Sequence, residues 1–127
     1  MRLVLCLLLT LAAAPAWAGW VKVSVTDEHT TYIDPATIEK DGNLRRFWQV
    51  YDLKQRGAAL GEMSRRYLSE YDCKEERFRR LSMSFHSDQM AGGRVLNSGN
   101  EPGKWNDIKP RVPPSPAQTI MRFVCAK

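Results

Sequence analysis

The stretch Ser115-Pro-Ala-Gln-Thr-Ile-Met-Arg-Phe-Val-Cys125, near the carboxy terminus, decides how this chain closes on itself. A serine at an N-cap accepts from a free backbone N–H of the first turn, and Pro116 stands where a helix can dispense with a donor. Gln118, three residues after the serine, completes a capping box. Beyond the cap, Ala117, Ile120, Met121, Val124 and Cys125 recur at helical spacing and fall on one face. The pattern predicts a short amphipathic helix whose apolar stripe ends in a thiol. A terminal strand is the rival, because Thr119, Met121, Phe123 and Cys125 also alternate; the cap favours the helix.

The amino terminus says which chemistry that thiol meets. Arg2 is a short basic region, Leu3 to Ala14 an apolar core, and Ala16-Trp17-Ala18 has the A-x-A form of a cleavage site. Residues 1–18 are predicted to be a secretory signal peptide, its apolar run too short to span a bilayer. Cys6 lies inside that run and is not a lipid-attachment cysteine; it leaves with the signal. Residues 19–127 then suffice for one domain with a real core, and no later segment is long and apolar enough to cross a membrane. The expected location is the periplasm, the cell surface or the medium.

Cys73 and Cys125 remain in a chain bound for an oxidising compartment, so a disulfide is the natural pairing. In the chain-entropy model a loop of about 50 residues is worth about 4 kcal/mol. A reactive thiol and metal ligation are the weaker alternatives: there is no CxxC, and His29 and His86 are not at ligand spacing.

The chain between signal and helix looks strand-rich. Trp20 to Val25 alternates, Thr30 to Ile33 is β-branched and aromatic, and Asp34-Pro35 suits the cap of a single helical turn through Thr37 and Ile38. Leu44 to Leu53 is the strongest strand, with large apolar residues on both faces, as a central strand requires. Glu62 to Cys73 follows, with Met63, Arg65, Tyr67, Ser69, Tyr71 and Cys73 on one face. If Cys73 bonds Cys125, that face lies under the helix, and Arg66 and Glu70 face away. Arg77 to His86 places Leu81, Met83 and Phe85 opposite Arg80, Ser82 and Ser84, and Arg94 to Asn97 is a short last strand. Ser98 to Pro114 is a long Gly-, Pro- and Asn-rich connection anchored by Trp105 and Ile108. The fold class expected is α+β: a single antiparallel meander of about six strands with a carboxy-terminal helix held on one face by the disulfide.

Catalysis finds little support. His29 and His86 are lone histidines expected to be solvated, no GxSxG elbow exists, and nothing in the spacing of Asp52, Glu70 and Asp72 forces a carboxylate pair. No phosphate-binding glycine loop and no metal-ligand spacing is present; Gly92-Gly93 is hairpin chemistry. The expectation is no enzyme, no cofactor and no metal.

The formal charge of the whole chain is +5. That mild excess favours acidic partners such as glycans or anionic envelope surfaces, and export argues against nucleic acid. Arginines cluster on three strands that should be neighbours, and alternation lets only about half share a surface. Arg46, Arg66 and Arg80 are expected beside Trp48 on the face away from the helix. Arginine interleaved with aromatics suits acidic protein segments or polymers; the plain alternative is a solvated face partly neutralised by Glu70 and Asp52.

Several stretches together resemble the surface-adhesin protein E family of bacterial envelope proteins. They are Trp20-Val21; Tyr32-Ile33-Asp34-Pro35 with Thr37-Ile38; Gly42-Asn43 followed by Arg45-Arg46 and Trp48; and Glu70-Tyr71-Asp72-Cys73. Met90 with Gly92-Gly93, then Trp105, Ile108 and Pro110 before Val124-Cys125, complete the set. The resemblance covers residues 19–127 almost entirely. It implies an antiparallel sheet of about six strands, a disulfide-held carboxy-terminal helix and a homodimer. It also implies adhesion to host matrix and serum proteins such as vitronectin, laminin and plasminogen. No ligand-binding segment carries over residue by residue. The expected function is that of a small exported binding module recognising a protein or polymeric ligand through its sheet face. The alternative is an envelope structural or stress protein acting by self-association.

Overall fold

The structure, a computed structural model, describes residues 19–127. The expected signal peptide lies outside the described residues. Eight strands form one sheet: β1 (Val21–Val25), β2 (His29–Ile33), β3 (Glu39–Asp41), β4 (Leu44–Leu53), β5 (Ser64–Asp72), β6 (Arg77–His86), β7 (Val95–Gly99) and β8 (Asn106–Asp107). The helix α1 spans Pro116–Cys125. The main path runs β1-β2-β4-β5-β6-β7, each strand antiparallel to its neighbour, which is the expected meander.

Two short strands extend that path. β3 pairs with the first residues of β4, sharing with β2 the edge of one long strand, and β8 pairs with the start of β6 beside β7. Between β2 and β3 the chain makes one 3-10 turn, Pro35–Thr37, capped by Asp34, whose carboxylate accepts from the Ala36 N–H at 3.1 Å. The Thr37 hydroxyl takes the Trp48 N–H at 3.1 Å, so the turn is fastened to the middle of β4.

The helix is capped as its sequence demands. Ser115 Oγ accepts from the Gln118 N–H at 3.2 Å, and Gln118 Oε1 accepts from the Ser115 N–H at 2.9 Å. Gln118 Oε1 also takes the Arg111 N–H at 3.2 Å, so one side chain closes both the box and the incoming loop. Ser115→Ala is expected to cost about 1 kcal/mol in urea denaturation; a change below the precision of the measurement would contradict the cap's role.

Ile120 and Val124 are fully buried, in one cluster with Ile33, Phe47, Tyr71 and Ile108. The register explains which strand residues the helix covers. Phe47 stands opposite Ser69, Arg45 opposite Tyr71 and Tyr71 opposite Phe78, so these side chains share one face. Tyr71 stacks on Phe78 at 5.3 Å and meets Phe47 at 5.4 Å. Burial pushes the Tyr71 phenol far above its ordinary range. Cys73, one residue past β5, bonds Cys125 at the last position of the helix, their Cα atoms 5.9 Å apart.

The hairpin after β5 is built on Asp72, whose Oδ1 accepts from the N–H groups of Glu75 at 3.0 Å and Lys74 at 3.1 Å. The backbone donors, chiefly Glu75, and then Arg77 hold this carboxyl below its usual pKa despite its burial. A depressed carboxyl contributes stability that is present above the unfolded value, near pH 4, and lost as pH falls through the folded value. Asp72→Asn should therefore lower stability at pH 7 by about 1 kcal/mol and flatten the acid limb of the stability profile. An acid limb identical to wild type would contradict this. Glu76, the last hairpin residue, adopts φ 52°, and its carbonyl accepts from the Ile108 N–H at 2.8 Å. That bond seats the long connection and delivers Ile108 to the core.

Candidate binding faces

The uncovered face carries the charge the arginines promised, and most of it is paired. Glu70, 1% exposed, accepts from Arg46 Nε and from Arg79 Nε at 2.8 Å. Arg46 also reaches Asp41 at 3.3 Å. The hydrogen bond with Glu70 raises the Arg46 pKa above its ordinary value. Arg77 and Arg79 both lie over the Trp105 ring at 4.4 Å, and Arg77 pairs with Asp72 at 3.4 Å. Trp105 is thereby clamped by the sheet it crosses.

Arg66 differs. Its guanidinium lies over the Trp48 ring at 4.0 Å, with no carboxylate in ion-pair range among the described residues. Beside this pair lies a groove of 330 Å³ lined by Ala36, Thr37, Glu39, Arg46, Trp48 and Leu68. The 3-10 turn and β3 form one wall, β4 and β5 the floor. At the other end of the face the loop after β6 folds across: Asp52 accepts from the Met90 N–H and Ser64 Oγ from the Ala91 N–H, both at 2.9 Å. His86 there is 7% exposed with its Nε2 2.7 Å from Ser84 Oγ, so it is packed rather than solvated; burial, then Arg66, lowers its pKa.

Arg80 is not on this face. Between Leu68 and Ser69 the β5–β6 register shifts: Leu68 faces Ser82, Ser69 faces Arg80, and Leu81 is the extra residue of a bulge. A bulge reverses side-chain parity beyond it. Arg79 consequently takes the place expected of Arg80, on Glu70, and Arg80 turns to the helix side. The structure thus brings Arg46, Arg66 and Trp48 together and sends Arg80 elsewhere.

On the helix side, beyond the region α1 covers, lies a cleft of 590 Å³. Its floor is Tyr67 and Leu53, both buried, and its walls are His29, Tyr51, Arg65 and Arg80. The His29 ring stacks on Tyr51 at 4.3 Å, Tyr51 meets Tyr67 edge-on at 5.1 Å, and Arg80 lies 4.0 Å over Tyr67. Burial lowers the His29 pKa, and Arg65, Arg80 and Lys54 add to that against Glu28. One bank is the β4–β5 connection, pinned by Gly57 N–H to the Glu62 carbonyl at 2.9 Å. A β-carbon at Gly57 would collide with the buried Glu62 carboxylate. His29 is therefore half-buried against an aromatic ring, not the free solvated histidine expected.

Asp52, Glu70 and Asp72 are each engaged with separate partners and form no carboxylate pair. Among the described residues no cluster of three or more His, Cys, Asp or Glu is placed to hold a metal ion. No helix among them is long and apolar enough to cross a membrane.

An antiparallel meander with a disulfide-fastened carboxy-terminal helix on one face, its other face carrying Trp48 with Arg46 and Arg66, is an α+β architecture. The chain belongs to the surface-adhesin protein E family, whose model matches residues 20–126. The family is one of adhesins, which makes this an adhesin-like surface protein by class. No curated protein matches the sequence. Among solved structures it is similar to crystal form II of Haemophilus influenzae protein E, at 14% identity over 86% of this chain and 88% of that one, with a TM-score of 0.65. It is also similar to protein E from non-typeable Haemophilus influenzae, at 15% identity over 86% and 76% of the two chains, with a TM-score of 0.62. At such identity the likeness is one of fold.

Proposed function

We propose that this chain is an exported, non-catalytic binding module that recognises a protein or extracellular-matrix polymer through the sheet face opposite its helix. The observation that carries the proposal is the Trp48–Arg66 pair beside its groove. Tryptophan and arginine are the residues that most often anchor protein interfaces, and a stacked guanidinium without a carboxylate keeps its donors for a partner. Arg46 borders the groove but is already paired with Glu70 and Asp41. Its part is to fix the groove's wall, and the acidic character of the ligand rests on Arg66. The signal peptide at residues 1–18 belongs to the same proposal, because adhesion requires export.

The test is binding of the purified exported protein to immobilised laminin, vitronectin and plasminogen, the ligands the family resemblance implies. Trp48→Ala with Arg66→Glu should weaken binding to whichever is recognised by at least tenfold, about 1.4 kcal/mol, with the melting curve retained. Unchanged affinity in that variant would remove the open face from the function.

Self-association is a second reading, favoured by the sheet edges. β1 exposes Val21 and Val25 at 41% and 57%, and Val95 on β7 is 59% exposed. Unpaired edges with apolar residues invite a second copy. Sedimentation should then show a homodimer that Val25→Lys or Val95→Lys dissociates; a monomer at millimolar concentration contradicts it.

A further inference from the structure

We infer that the cleft on the helix side, between Arg80, Tyr67 and His29, is a second ligand site, built for a small organic carboxylate. Seven arginines lie on strands β4, β5 and β6. Arg46, Arg65, Arg77 and Arg79 each have a carboxylate within 3.4 Å. Arg45 donates to the carbonyls of Gly42 and Leu44. Arg66 and Arg80 have neither among the described residues, and they stand on opposite faces. Arg80 has aromatic rings, Tyr67 at 4.0 Å and Tyr51 at 5.5 Å, and a long contact of 3.4 Å to the Tyr51 hydroxyl. A half-buried cation without a counter-ion is costly, and an anion in the cleft offsets that cost.

The cleft holds a donor with no acceptor. Arg80 Nε is buried with no partner; His29 Nε2 on the facing wall is unpartnered too, and donates or accepts according to its tautomer. Both nitrogens belong to residues lining the same 590 Å³ space, which is the size of a small-molecule site.

Charge selects the class of anion. At the exposed rim Asp27 and Glu28 offset Lys54 and Arg56, and inside the cleft Arg65 is met by Glu62 at 3.2 Å. One cation, Arg80, is left over. A monoanion balances it; a phosphate dianion would put surplus negative charge beside Asp27 and Glu28. A planar carboxylate also matches the guanidinium fork, and the Tyr67 and Leu53 floor accepts an apolar body behind it. The site is independent of the Trp48 face, so either can fail without the other.

The test is an NMR titration of the purified exported protein with benzoate, using its neutral isostere benzamide and inorganic phosphate as comparators. Benzoate should give saturable shifts at the Arg80 Nε–H and at the rings of His29, Tyr51 and Tyr67. Benzamide and phosphate should bind at least tenfold more weakly. Arg80→Gln should weaken benzoate at least tenfold, and Arg94→Gln, at an exposed position outside both the cleft and the Trp48 groove, should leave it unchanged. The wild-type titration needs no variant, so a misfolded Arg80→Gln does not spare the proposal. Shifts that do not saturate, or that spread evenly over surface arginines, would overturn it. So would benzamide or phosphate binding as well as benzoate. A blocked glutamate-containing peptide binding more than tenfold tighter than benzoate would move the site to protein carboxylates and overturn the small-acid assignment.

Discussion

Phe47→Ala should lower the unfolding free energy by about 3–5 kcal/mol, the largest effect expected of a single truncation in this sheet. Phe47 is fully buried in the middle of β4, in one cluster with Tyr71, Ile33 and the helix residues Ile120 and Val124. Removing the ring leaves a cavity that neither side can fill easily, because the disulfide fixes the helix end and the ladder fixes the strand. The denaturant midpoint should fall without a change in slope, since the surface exposed on unfolding is nearly the same. A loss under 1 kcal/mol would mean that the helix does not rest on this part of the sheet.

Cys73→Ser and Cys125→Ser should each cost about 2–5 kcal/mol, and by equal amounts, because either removes the same cross-link. The bond joins residues 52 apart in sequence, tying the end of β5 to the last turn of α1. Most of its effect falls on the unfolded chain, which loses the freedom of that loop. A domain of this size has only a modest core, so the loss should be visible as a lower melting temperature under reducing conditions. Melting curves that coincide with and without reductant would contradict the staple.

Much of this architecture was legible in the residues. Ser115, Pro116 and Gln118 specify a cap that forms atom for atom, and the stripe ending in Cys125 needed only a compartment to find its partner. Leu44–Leu53 and Arg77–His86 are strands over the expected residues, since their alternation is strong and turn residues bound them. Glu39–Asp41 and Asn106–Asp107 were not legible as strands. They are short, polar and exposed, and exist because β4 and β6 offer free edge there.

The candidate sites divide along the same line. Arg46, Arg66 and Trp48 share a face because strict alternation holds through β4 and β5. Arg80 does not join them, because one extra residue at Leu81 inverts the start of β6 relative to its end. Alternation in the sequence carries no mark of a bulge, which is a property of the pair and not of either strand. The cleft was invisible for a related reason: His29, Tyr51, Tyr67 and Arg80 come from four strands and meet only once the register is set.

In the proposed function α1 holds the fold and the Trp48 face makes the contact. Cross-saturation NMR on the isotope-labelled protein bound to an unlabelled laminin fragment tests that division most directly. Saturation should reach the Trp48 indole N–H and the amides of Ala36 and Thr37, and leave the exposed side of Pro116–Cys125 untouched. Saturation confined to the helix, with Trp48 unaffected, would contradict it.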